Sequence, residues 1–177
     1  MYRFAPASDT ERIVYGSERP GYDSLSVPAE VVKSWIRYMK ERKVRRVCCL
    51  LHRDQLNYYQ SDLLDAYQEA FGAQHVCFAP IPDYHLVDQN TLEETILPFL
   101  RASAEQGLPV VVHCSGGSGR TGHVLAAWLS RERGYLPEEA LSEVINQYRN
   151  PKEAVYAGNA AEADLYLLLD PDRKHQT

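Results

Sequence analysis

The stretch Val110-Val111-Val112-His113-Cys114-Ser115-Gly116-Gly117-Ser118-Gly119-Arg120-Thr121-Gly122 restricts the fold more than any other part of the chain. Three β-branched residues in a row read as a buried strand, and a helical pattern runs from Arg120 to about Arg133, where Gly134 closes it. Strand, glycine-rich turn and helix in immediate succession make a βα corner, which commits this half of the chain to an α/β architecture. Such a corner also favours anions. Three glycines among the five residues Ser115–Gly119 let successive backbone N–H groups curl inward. The helix that follows adds unpaired donors and the positive end of its dipole. A dianionic phosphate suits that cradle.

Cys114 stands at the start of this turn, where a helix N-terminus and a nearby cation favour the thiolate, the nucleophilic form of cysteine. Arg120 returns after the turn, and its planar guanidinium can grip two phosphate oxygens at once, which a lysine's point charge cannot. Thr121 puts a hydroxyl beside the cradle, placed to donate to the sulfur, the plainer alternative being an ordinary helix-start threonine. The segment therefore predicts a phosphate pocket made by Ser115, Gly116, Gly117, Ser118, Gly119 and Arg120 around a nucleophilic Cys114. A buried structural thiol is the competing reading of Cys114, and the glycine loop argues against it.

Further strand-like runs at Val44–Leu51 and His75–Ile81 join Val110–His113, with Ile13–Tyr15 as a candidate edge strand, and helical periodicity fills the gaps. This alternation predicts an α/β fold, one domain over residues 1–177, with a central, mainly parallel sheet of about four or five strands flanked by helices. The first helix opens near Pro28 and turns Val31, Val32, Trp35, Ile36 and Met39 to the core. A second covers Ser61–Phe71 and stops at Gly72; a third starts at Asn90, with Glu93 completing a capping box, and Pro98 is expected to kink it or fray its first half rather than split it in two. Two more follow at Pro137–Tyr148 and Asn159–Leu169.

Composition excludes several classes. With 177 residues, 45% of them apolar, the chain can bury a core without staples. Its net charge of −5, with no like-charge cluster longer than Arg45-Arg46, argues against a nucleic-acid partner. No long apolar window and no apolar leader core follow the N-terminus, which predicts a cytoplasmic protein away from the membrane. Cys48, Cys49 and Cys77 lie in apolar runs and read as core thiols. His52, His75, His85, His123 and His175 form no ligand-spaced set, so no metal and no other cofactor is expected.

His113 through Gly122 resembles the signature of the protein-tyrosine phosphatase superfamily, His-Cys-x5-Arg-Ser/Thr-Gly, at every defined position. In length the chain is similar to the compact dual-specificity members; it lacks the tyrosine-recognition loop of the large tyrosine-specific enzymes, which implies a shallower cleft. The resemblance implies that Cys114 forms a phosphocysteine, that Arg120 clamps the phosphate and that His113 orders the loop. It further implies an aspartate on a separate loop that protonates the leaving oxygen and later activates water. Asp83, in Ile81-Pro82-Asp83-Tyr84 and 31 positions before Cys114, fits that role, with Asp88 as the competitor. A loop at a strand's C-terminal end is where α/β folds present functional groups. A departure lies at Tyr148–Ala154, where many relatives carry a Pro-x-x-Ile-Glu-like loop that this chain does not match.

The implied activity is hydrolysis of phosphomonoesters, foremost phosphotyrosine on a phosphorylated protein substrate, with phosphoserine and phosphothreonine as further substrates. Uncharged loop residues argue against phosphoinositides, and the acidic balance against RNA 5′-phosphates. A phosphate-capturing module without turnover is the alternative from another class, although nucleophile, clamp and acid are all retained. A rhodanese-like carrier or arsenate reductase does not call for Arg-Thr-Gly after the loop. The kinase-like His52-Arg53-Asp54 fails because Tyr59 occupies the position of the required asparagine, and Tyr58 and Tyr59 read as packing.

Overall fold

In the computed structural model, which describes residues 2–172, five short strands form one sheet. They are β1 (Ala5–Pro6), β2 (Val14–Ser17), β3 (Arg46–Cys49), β4 (Val76–Phe78) and β5 (Val110–His113), in the order β1-β2-β5-β3-β4. The β1–β2 pair is antiparallel and all others are parallel. β5 lies between β2 and β3 with all four residues buried, which its unbroken apolar run requires. The segment expected at the edge is thus internal. β2 pairs with β5 on one side, and β1, too short to show a period, takes the edge.

On one face of the sheet pack α1 (Ala29–Glu41), with Val32, Trp35, Ile36 and Met39 buried, and α2 (Leu63–Phe71). The Asp62 carboxylate accepts from the N–H of Leu64 and Asp65, so α2 starts later than Ser61, and Gly72 ends it at φ 94°. The other face is covered by α3 (Gln89–Thr91), a π-helical turn at Leu92–Ile96, α4 (Leu97–Glu105), α5 (Gly119–Arg133), α6 (Pro137–Asn146), α7 (Glu153–Tyr156) and α8 (Glu162–Leu169). Strand alternation puts Cys48 on this second face and Cys49 on the first.

Asp88, not Asn90, caps α3: its Oδ1 accepts the Thr91 N–H at 2.9 Å. Pro98 does not break the helix, because the π-helical turn just before it shifts the ladder and the chain runs on into α4. α5 is buried without interruption from Gly119 to Leu129, between the sheet and α6 and α8. Parallel pairing brings the C-terminal ends of β2, β5, β3 and β4 to one edge, and the loops that leave them converge there. The Leu50 N–H donates to His113 O at 2.8 Å, and the Ile81 N–H to Leu50 O at 3.2 Å. Among the described residues no helix is long and apolar enough to cross a membrane.

Candidate active site

Residues Cys114–Ser118 form the turn between β5 and α5, fixed from outside the pocket. The Ser115 carbonyl accepts the Arg19 N–H at 2.9 Å, and the Gly117 carbonyl accepts from the Arg149 guanidinium. All described peptides are trans, so each carbonyl held outward turns the next N–H, of Gly116 and of Ser118, the opposite way. Gly117 has φ 65°, and a Cβ on it would come within 2.5 Å of the Ser17 carbonyl. Glycine is the residue that tolerates both.

Below the turn, His113 is fully buried. Its Nδ1–H donates to Cys114 O at 3.1 Å and its Nε2 accepts the Tyr67 hydroxyl at 3.1 Å, which fixes one neutral tautomer. Burial pushes its pKa down to about 4, with the Arg120 and Arg19 charges acting the same way against the Cys114 carbonyl bond. His113 therefore orders the loop without carrying a proton at neutral pH. Arg149, from the segment whose role the sequence leaves open, is 4% exposed; it also donates to the carbonyls of Arg3 and Ala5. Burial lowers its pKa to about 10.

Cys114 is 3% exposed, and the Thr121 hydroxyl donates to its sulfur at 3.2 Å. The Arg120 guanidinium spans the pocket: Nη1 donates to Gln55 Oε1 at 2.8 Å and to the Ile81 carbonyl at 3.0 Å, and Nη2 meets Asp83 Oδ1 at 2.9 Å. Gln55 Nε2 donates to the other Asp83 oxygen at 3.4 Å. Gln55 sits in a short 3-10 helix, Arg53–Tyr58, that the sequence reading missed. Its placement just past the C-terminal end of β3 was the available signal.

Cys114, Ser115, Gly116, Ser118, Gly119, Arg120 and Asp83 line one cavity of about 290 Å³, with Arg3, Tyr22, Tyr84 and Glu153. Tyr22, which the sequence did not single out, walls one side of the cavity: its ring lies against Gly116, 3.2–3.4 Å from where a Cβ would stand. The buried Arg19 holds that wall by donating to the carbonyls of Pro20, Gly21, Tyr22 and Ser24, and lies over the Tyr58 ring. Tyr58 and Tyr59 are packing, as the sequence suggests; the Tyr59 hydroxyl donates to Pro20 O. Asp88 stays outside the cavity and is spent on the α3 cap, whose bonds from Thr91 hold its carboxyl below the usual range. Cys48, Cys49 and Cys77 are buried free thiols, and burial pushes Cys49 up to about 12. No metal-holding cluster occurs among the described residues, and His175 lies outside them.

Residues 24–133 match the family Tc-R-P, described as "Polymorphic toxin system, DSP-PTPase phosphatase". Tyrosine-protein phosphatase cdc-14 of Caenorhabditis elegans is 27% identical over 127 residues, 71% of this chain but 16% of that protein. An uncharacterized protein of Methanocaldococcus jannaschii is 41% identical over 51 residues, 29% of this chain and 34% of that protein. The chain thus spans well under two thirds of the length of these curated relatives. Tk-PTP in its active form superposes with a TM-score of 0.65 at 25% identity, covering 91% of this chain and 97% of that one. PTPMT1 in complex with PI(5)P gives a TM-score of 0.70 at 13% identity, covering 98% and 99%, a likeness of fold.

Proposed function

Because the chain belongs to the DSP-PTPase phosphatase family matched over residues 24–133, we propose that it hydrolyses phosphomonoesters through a phosphocysteine at Cys114, foremost phosphotyrosine on proteins. On this reading residues 1–177 act as one catalytic domain. The observation that carries it is one cavity holding the Cys114 sulfur, 3.2 Å from the Thr121 hydroxyl, and the Arg120 guanidinium, 2.9 Å from the Asp83 carboxylate.

The phosphoryl group enters over Cys114, with its oxygens on the N–H groups of the turn and the fork of Arg120. Arg120 Nη2 meets Asp83 Oδ1 at 2.9 Å, so a phosphoryl group held by the fork competes for it and frees the carboxyl to face the leaving oxygen. The sulfur attacks phosphorus, the P–O ester bond breaks, and Asp83 supplies the proton that the leaving oxygen takes. Water then attacks the phosphocysteine, Asp83 takes its proton, and the sulfur leaves with the Thr121 hydroxyl donating to it. The Tyr22 and Tyr84 rings at the mouth support an aryl leaving group.

The test is turnover of a phosphotyrosine peptide, a phosphoserine peptide and an activated aryl phosphate by wild type and Cys114→Ser, with chelator present. Chelator-insensitive turnover by wild type, with Cys114→Ser inactive but still binding, is the expected result. Wild-type rates from Cys114→Ser would sink the nucleophile. Binding without turnover by wild type would put the capture module in its place.

A further inference from the structure

We infer that Glu153 makes the pocket selective for a lone phosphoryl group, turning away substrates that carry a second phosphate beside the first on the side of α7. The inference rests on the phosphatase reading above and goes on to the charge of the substrate. Glu153 is the first residue of α7, and its carboxyl lies against Gly119, where any Cβ would collide with Oε2. The glycine that opens α5 thus leaves room for a carboxylate beside the phosphate cradle. Glu153 lines the same cavity as Cys114 and Arg120.

The charges around the cavity leave little for a second phosphate. Among its lining residues the cations are Arg3 and Arg120 and the carboxylates Asp83 and Glu153. Arg120 is taken by the transferring phosphoryl group. Arg3 is 55% exposed in its side chain and lies 4.0 Å from Glu18. Lys152, the cation next to Glu153, is turned to Glu162. A second phosphate on the side of α7 therefore meets the Glu153 carboxylate, and like charges held close together repel. Burial and the Asp83 carboxylate push the pKa of Glu153 up while Arg120 opposes them. A phosphotyrosine brings a neutral ring to the same place.

The test compares binding of inorganic phosphate and pyrophosphate by calorimetry in Cys114→Ser and in Cys114→Ser carrying Glu153→Gln or Glu153→Asp. Glu153→Gln is expected to raise the pyrophosphate-to-phosphate affinity ratio about tenfold, and Glu153→Asp, which keeps the charge, to hold the ratio near its starting value. An unchanged ratio in Glu153→Gln overturns the inference whether or not the wild type is a phosphatase. A shifted ratio in a protein that turns over no phosphoester supports the gate and removes the phosphatase reading instead. In the otherwise wild-type enzyme, a more than about tenfold loss of phosphotyrosine turnover on Glu153→Gln without a ratio change would place Glu153 in the chemistry and also overturn it.

Discussion

The floor of the pocket, with His113, Cys114, Gly117, Arg120 and Thr121 all buried, is tied from behind, whereas its rim of Tyr22, Asp83, Tyr84 and Glu153 reaches solvent. The turn and the histidine below it have partners outside the cavity: Tyr67 for His113, Arg19 for Ser115, Arg149 for Gly117. The rim is held by fewer bonds. Asp83 depends on Arg120 and Gln55, and the Tyr84 carbonyl on the Asn159 amide at 3.0 Å. The difference follows from what each half does. Donors aimed at a phosphoryl group act best when they need not reorganise, while a general acid must change partners during turnover.

Substitutions should separate the halves, because filling the turn of the floor costs stability whereas removing Asp83 from the rim costs activity with little stability. The largest effect is expected at Asp83→Ala, which should lower kcat on a phosphotyrosine peptide by about 10²- to 10⁴-fold. It should leave an activated aryl phosphate, whose leaving group needs no proton, far less affected. Its ion pair with Arg120 has a carboxylate 45% exposed, so the stability cost should stay below about 1 kcal/mol. Equal losses on both substrates would break the assignment of Asp83 as acid.

Next in size is a pH effect on the floor. His113 and His123 are buried, and burial holds both near a pKa of about 4. The unfolded chain takes up these protons near pH ~6.5, so between there and about 4 it binds more protons than the folded chain, and stability falls as pH drops. Each histidine should account for up to about 3 kcal/mol of that loss, read from urea unfolding at neutral pH and near pH ~4.5. An unchanged unfolding free energy over that window would contradict the buried neutral state.

Gly117→Ala should cost about 1–3 kcal/mol and lower turnover of both substrate types alike, since its positive φ and the nearby Ser17 carbonyl leave no place for a Cβ. Full stability by thermal unfolding would show that the turn is looser than its packing indicates. The smallest change is expected at Asp88→Ala, which loses the α3 cap for about 1 kcal/mol with kcat shifted less than about threefold. A collapse of activity there would move the acid from Asp83 to Asp88.

The floor was legible in the sequence because its determinants are local. An apolar strand, a glycine turn and a helix start follow one another from Val110 to Gly122, and the observed β5 and α5 meet those bounds to within a residue. Asp83 was reachable because a loop after a strand presents it near the turn. Gln55 follows the C-terminal end of β3 in the same way, whereas Arg149, Tyr22 and Glu153 were not reachable, since each comes from a loop or single-turn segment with no hydrophobic period and is brought in by long-range packing. The same cause hides the edge: the two residues of β1 carry no alternation, so the sequence alone leaves β2 as the candidate edge strand.

The most direct test of the account is to quench wild-type protein with acid during turnover of a phosphotyrosine peptide and map the adduct by mass spectrometry. A single phosphoryl group on the peptide containing Cys114, absent from Cys114→Ser, is the predicted result. Sustained turnover with no adduct on Cys114, or the same rate in Cys114→Ser, would contradict it.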